Sequence, residues 1–281
     1  MNHSVDVARK PFIHVRPKKG WQLLDVDELK QHRDLFYFLV GKEIKVRYKQ
    51  TVLGGLWAFI QPFFSMVVFS LFFGKLARMP SDGVPYPIFS FTAMVAWTYF
   101  SNALSGSGNS LIASSNLISK VYFPRIIIPL APVLAGLLDF AIAFVILLCM
   151  MLYFHIIPTV MILLVPVLVL LMTLTASGVG MFLAALNAKY RDIKYAIPFL
   201  VQIWMFLCPV VYPSSMVPEK YRIIYSLNPM AGIIEGFRSV LLGNIPFPTY
   251  PLLISLLVSS ILFCGGLLYF KRMERYFADI V

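Results

Sequence analysis

From Phe140 to Ala188 the chain runs for 49 residues without a single Asp, Glu, Lys or Arg. A bilayer core about 30 Å thick needs roughly 20 apolar residues per helix, so this run is too long for one crossing and long enough for two. His155-Ile156-Ile157-Pro158-Thr159 supplies a polar residue and a helix breaker where a turn between them is needed. Other uncharged runs extend over Gln50 to Gly74, Gly83 to Ser119, Ile126 to Leu138, Tyr195 to Pro218 and Ser239 to Phe270. Hydrophobic residues make up 59% of the 281 positions and charged ones only 13%, about half the charged share of a soluble domain, which excludes a soluble enzyme. The spacing predicts an all-α polytopic membrane protein with spans near 56–74, 86–107, 132–154, 160–185, 195–211 and 251–270.

An even number of spans puts both termini on one side. Most of the 24 Lys and Arg residues fall in the N-terminal arm, the second and fourth loops and the tail, while the opposite face has only Lys75, Arg78, Lys220, Arg222 and Arg238. The positive-inside rule makes the first side cytoplasmic, and it accounts for the net charge of +11 without a nucleic-acid partner. Residues 1–20 are polar and basic, with no apolar core or cleavage site, so a flexible cytoplasmic N-terminus is expected rather than a signal peptide. Cys149, Cys208 and Cys264 lie in apolar stretches without CxxC spacing, which indicates packing residues rather than disulfides or a metal site.

Residues 21–50 read as an arm. Leu29, Leu35, Phe36, Leu39, Val40 and Val46 fall within an arc of about 140° at 100° per residue, with Lys42, Lys45 and Lys49 on another arc. Glu43 and Arg47 break the apolar face. An amphipathic helix in the cytoplasmic interface fits, serving either as a simple anchor or as a platform for a partner protein. The second loop, 108–125, carries Ser114, Ser115 and Asn116 before Leu117-Ile118 as a helix start, and Pro124 as its stop. It offers Lys120, Tyr122, Phe123 and Arg125 either to a docking protein or to the membrane interface.

Asp139 is the one acid well inside an expected span. An unpaired acid there costs about 3 kcal/mol and raises a proton-relay reading. The alternative is that Pro124, Pro129 and Pro132 delay the helix, leaving Asp139 near the interface, hydrated or paired with an arm lysine; the lack of a second buried acid or His favours that role. Outside, 213–243 holds apolar residues at helical spacing in two halves around Asn228-Pro229. Two re-entrant helices dipping into the outer leaflet fit, as does a cap lying flat on the surface. Ala176-Ser177-Gly178-Val179-Gly180 and Gly265-Gly266 allow close helix approach, within one subunit or between two.

The run from Lys45-Val46-Arg47-Tyr48-Lys49-Gln50 to Gly54-Gly55-Leu56-Trp57-Ala58-Phe59-Ile60-Gln61-Pro62 resembles the entry to the first span of ABC-2 type polysaccharide exporter permeases, which export O-antigen, capsule and teichoic acid. Further matches are Leu117-Ile118-Ser119-Lys120-Val121-Tyr122-Phe123-Pro124-Arg125, Asn187-Ala188-Lys189-Tyr190-Arg191-Asp192, and Pro213-Ser214-Ser215-Met216-Val217-Pro218 continuing to Leu227-Asn228-Pro229. The resemblance extends from Trp21 onward, and the stretch beginning Trp21-Gln22-Leu23-Leu24-Asp25 is most similar to the O-antigen branch. It implies a multi-pass inner-membrane half-transporter that homodimerises, binds two copies of a cytosolic ABC ATPase and moves a lipid-linked polysaccharide. ATP and Mg would be used by that partner: no GxxxxGK[ST] occurs here, since Gly41-Lys42 precedes Glu43 and Gly74-Lys75 precedes Leu76. By matching position the resemblance assigns ATPase coupling to Asn116, Lys120, Tyr122, Phe123, Pro124 and Arg125, braced by the arm with Lys42, Lys45, Arg47 and Lys49.

A glycan presents apolar sugar faces and hydroxyls, so a conduit for it should carry aromatic rings. Candidates are Phe59, Phe63, Tyr99, Phe100, Trp204, Phe206 and Tyr212, against the ordinary alternative that such rings face lipid or form interfacial belts. Other readings are an ABC-2 exporter of a drug or small lipid, and an ion-coupled secondary transporter, which calls for paired intramembrane charges. A membrane glycosyltransferase would need an acidic cluster, and Asp82, Glu219 and Glu235 are scattered. No catalytic, metal or cofactor residue is expected.

Overall fold

A computed structural model describes residues 26–49, 54–243 and 245–277, and every regular element among them is a helix. The expected N-terminus at 1–20, the arm before Val26 and the last four residues lie outside the described residues. The arm is α1 (Val26–Gln31) and α2 (Arg33–Tyr48). Then follow α3 (Trp57–Phe69), which continues as a π-helical turn over Ser70–Leu76, α4 (Tyr86–Ala113) and the short α5 (Ser115–Ile118). Next come α6 (Ile127–Tyr153), α7 (Val165–Lys189, entered by a 3-10 turn at Val160–Leu164) and α8 (Ile193–Phe206). The chain closes with α9 (Glu219–Ser226), α10 (Pro229–Leu242) and α11 (Thr249–Met273).

Four helical stretches among the described residues are long and apolar enough to cross a membrane: Trp57–Leu76, Ile127–Tyr153, Val160–Lys189 and Thr249–Tyr276. The 49-residue uncharged run breaks at its polar centre, where α6 ends at Tyr153 and His155 takes φ +56°, a left-handed turn conformation. One local expectation fails. The prolines do not delay α6, which starts at Ile127. Pro129 falls in its first turn, where a missing N–H costs nothing, and Pro132 is accommodated inside the helix. Asp139 therefore stands about 18 Å along the helix rather than at its mouth.

Helix α4 is the centre of the molecule. It is as long as the four apolar helices but richer in Ser, Gly and Asn, and it packs against α3, α6, α7, α8 and α10. Its polar content serves close approach. A Cβ on Gly106 would lie 3.0 Å from Pro132 of α6, and one on Gly108 would lie 2.7 Å from Ile197 of α8. The small residues of α7 and α11 likewise act within the subunit: a Cβ on Gly266 would collide with the Gly178 carbonyl, and Thr175 Oγ1 bonds Ser259 Oγ at 2.7 Å beside it. Gly265, by contrast, faces open space.

A second apolar cluster ties the arm to the rest. Leu39 of α2 packs with Ile118, Phe123, Ile127, Met181 and Phe270, so arm, second loop, α7 and the end of α11 share one core. At the other end, α10 carries a full set of caps. Asn228 Oδ1 accepts from Met230 N at 3.2 Å, Pro229 opens the first turn, and Gly243 closes it at φ +72°.

Candidate functional site

The last turn of the arm meets the middle of α6. Arg47 Nη1 donates to Asp139 Oδ2 and the Tyr48 hydroxyl donates to Asp139 Oδ1, while Arg47 Nη2 reaches Pro132 O at 3.4 Å. The two breaks in the apolar pattern thus explain each other: the arm residue that pairs with Asp139 is an arginine rather than a lysine. Burial, then the Asp139 carboxylate, push the Tyr48 phenol up to about 12, so it stays a donor. Beside this triad lies a cavity of about 400 Å³ lined by Trp57, Gln61, Tyr99, Asn102, Asp139 and Phe140, among others. Lys42, Lys45 and Lys49 point outward on α2 with Tyr37 and Phe38, so the arm shows a basic and aromatic outer face.

The second loop divides its candidate residues. Asn116, Lys120 and Tyr122 are exposed, Tyr122 at 76%. Phe123 and Pro124 are buried, Phe123 against the arm and α11 cluster. Arg125 is occupied by α11's end: its backbone N–H donates to Glu274 Oε1 at 3.1 Å and its Nη1 to Glu274 O at 2.7 Å. Lys271 takes the other Glu274 oxygen at 2.9 Å. Three of the six therefore offer a surface, and three fix that surface in place.

The aromatic candidates divide in the same way. Phe100 is fully buried in an edge contact with Trp204 at 5.0 Å, joining α4 to α8. Tyr99 is buried too, its hydroxyl bonding Val133 O at 3.2 Å and Thr173 Oγ1 at 3.1 Å. Phe59 and Phe63 pair at 4.8 Å on α3, half-buried against the main core. Phe206 is exposed, and Tyr212 is half-buried with its hydroxyl on Phe206 O at 3.1 Å. Sequence reading missed the exposed rings next to them: Trp57, Phe64 and Phe72 on α3, and Tyr195 and Phe199 on α8. On α8 the positions 195, 199 and 206 repeat every four or seven residues, a stripe that a helical wheel of the fifth span would have displayed.

The C-terminal end of α8 is bound to α9 and α10 by polar groups. Trp204 Nε1 donates to Asn228 Oδ1 at 2.9 Å, Asn228 Nδ2 donates to Leu207 O at 3.0 Å, and the Tyr225 hydroxyl donates to that of Tyr212 at 3.4 Å. Arg238 of α10, 1% exposed, was counted from sequence only as an external base. Its Nη2 donates to Val210 O at 2.8 Å, its Nε to Phe89 O at 3.3 Å and its Nη1 to Tyr212 O at 3.4 Å, while the guanidinium carbon sits 3.5 Å from the Phe89 ring centroid. Burial lowers its pKa, but a guanidinium remains charged. One turn away on α10 lies Glu235. Among the described residues no group of three His, Cys, Asp or Glu could hold a metal ion.

The ABC-2 type transporter family model matches residues 34–242. The chain is 29% identical over 259 residues to an O-antigen export system permease protein RfbA of Myxococcus xanthus, covering 91% of this chain and 98% of that one. It is 27% identical over 251 residues to a protein of the same name in Klebsiella pneumoniae, covering 88% and 95%. A more distant relative is the polysialic acid transport protein KpsM of Escherichia coli, 22% identical over 242 residues and covering 83% and 91%.

Proposed function

The chain belongs to the ABC-2 type transporter family, and from that membership we propose that it is the permease subunit of an ATP-driven exporter of lipid-linked polysaccharide, most specifically O-antigen. Full-length similarity to O-antigen export permeases supports the substrate class. In this reading α3 with its π turn, α4, α6, α7, α8 and α11 are six crossings of the bacterial inner membrane, with both termini cytoplasmic. Helix α8 is about 21 Å long, too short to cross alone, and α9 and α10 fill the outer leaflet as re-entrant helices beyond it.

The observation that carries the proposal is the pair of exposed aromatic faces on α3 and α8, helices that each pack against α4. In a homodimer these faces enclose a conduit whose rings, Trp57, Phe64 and Phe72 with Tyr195, Phe199 and Phe206, slide along sugar faces without binding any one residue tightly. Two copies of a cytosolic ABC ATPase, which uses ATP and Mg, dock on Asn116, Lys120, Tyr122 and the outer face of the arm. Closure of the ATPase pair would push on the shared core of arm, second loop and α11, and so on α6 and α7.

The test is purification from native membranes in mild detergent, followed by mass spectrometry of whatever accompanies the permease in stoichiometric amount. A Walker-motif ATPase with a carbohydrate-binding extension supports the O-antigen reading. An ATPase stimulated by a small amphiphile and indifferent to glycan would replace it with a drug or small-lipid exporter. A permease that came out alone and transported without ATP would sink the exporter reading.

A further inference from the structure

A second cavity of about 400 Å³ lies away from the features above, lined by Lys189 at the end of α7 and by Tyr269, Arg272, Met273 and Tyr276 at the end of α11. Its charge is unbalanced. The neighbouring cations Arg125 and Lys271 are occupied by Glu274, whereas Lys189 and Arg272 meet no carboxylate among the described residues. Lys189 Nζ sits 5.0 Å over the ring of Tyr190, which holds it near the pocket mouth without neutralising it.

Exposed apolar residues run along both helices on the side of the pocket. On α11, Ile261, Gly265, Leu268 and Arg272 share one exposed face at spacings of four, three and four, and a Cβ at Gly265 would meet nothing within 4 Å. On α7, Phe182 and Lys189 lie two turns apart, and the exposed Phe182 ring contacts Tyr269 with centroids 4.8 Å apart. Both helices therefore present apolar surface that ends in a cation at the same level. Lone lysines and arginines at helix ends merely snorkel to the interface; two cations and two tyrosines around one open pocket, beside an apolar face with a glycine in it, form a receptacle.

We propose that this pocket and the apolar face beside it bind an anionic phospholipid, its phosphate between Lys189 and Arg272 and an acyl chain along Gly265 and Phe182. A soluble anion would make no use of that face, and a protein partner would leave it facing hydrocarbon. Basic pockets between helices at the cytoplasmic interface suit such headgroups. The leaflet, cytoplasmic, rests on the topology proposed above; the lipid contact itself does not.

The experiment uses the full-length permease with its co-purified ATPase, delipidated in detergent and re-exposed to phosphatidylglycerol or phosphatidylethanolamine, with bound lipids counted by native mass spectrometry. Phosphatidylglycerol should be retained about tenfold or more over phosphatidylethanolamine. That preference should vanish in the double variant Lys189→Gln, Arg272→Gln. Gly265→Phe, which keeps both cations and fills open space, should lower phosphatidylglycerol retention as well. Equal retention of the two lipids, or a preference that survives the double variant, would overturn the proposal. So would displacement of the lipid by millimolar inorganic phosphate together with an inert Gly265→Phe, which marks a soluble-anion pocket. Loss of the ATPase from the double variant with lipid retention unchanged would make the surface a protein dock instead. If a labelling experiment reversed the termini while lipid retention behaved as expected, only the leaflet would change.

Discussion

The two ends of this molecule hold their buried cations by opposite means. At the arm, Arg47 meets a carboxylate, Asp139, with both side chains still about a quarter exposed, and Arg125 and Lys271 share another, Glu274. At the α10 end Arg238 has no carboxylate in contact among the described residues; three backbone carbonyls and a phenyl face surround it. The arm's ion pair can break and re-form as a single contact, whereas carbonyls from two chain segments, α4 and the turn after α8, fixed around one guanidinium cannot be exchanged one at a time. The contrast predicts that the arm end can be displaced as a unit while the α10 end keeps its shape.

The largest effect should come from breaking the rigid end. Arg238→Met leaves the carbonyls of Phe89, Val210 and Tyr212 without their donor and should lower stability by about 3–5 kcal/mol, seen as early loss of the monodisperse peak in heated size-exclusion samples. Arg238→Lys, which lacks the planar fork, should recover only part of it.

Next in size is the arm. Asp139→Asn should weaken docking of α2 by about 2 kcal/mol, raising hydrogen exchange in Arg33–Tyr48 while α10 stays protected. Restoration by the swap Arg47→Asp, Asp139→Arg would show that the pairing matters rather than the individual side chains. If α10 loosened equally, the contrast between the ends would be void.

The smallest effect on folding belongs to Lys120→Glu, under about 0.5 kcal/mol because the side chain is exposed. Its effect on function should be large: less ATPase bound at unchanged permease yield, measured by quantitative pull-down. Arg125→Glu should instead repel Glu274 and disturb the permease itself. A Lys120→Glu variant with normal ATPase binding would remove the second loop from the docking surface.

The all-helical class and the break of the long run at His155 were legible because apolar length and helix breakers are local signals. So was the anomaly of Asp139, though its partner was not: Arg47 lies 92 residues earlier and looked like a flaw in the arm's apolar face. Two such flaws of opposite charge are a pairing signal that periodicity, read one helix at a time, does not exploit. Arg238 left no trace, since its partners are carbonyls, which every residue has. The aromatic candidates show the same limit. Phe100 and Phe206 are the same residue type in equally apolar runs, yet one is sealed against Trp204 and the other lies bare, a distinction set by which helices flank α4.

The position of α4 also bears on how the chain is made. Its Ser107, Gly108 and Ser110 are turned towards neighbours, and it is less apolar than α3 before it and α6 after it, which are long and apolar enough to cross a bilayer. On the six-crossing topology, α4 must wait at the insertion site until α6 emerges and shields it. A nascent chain halted after Ala113 is expected to leave α4 outside the membrane, and one released after Tyr153 to carry it in, so the order of synthesis becomes part of the fold.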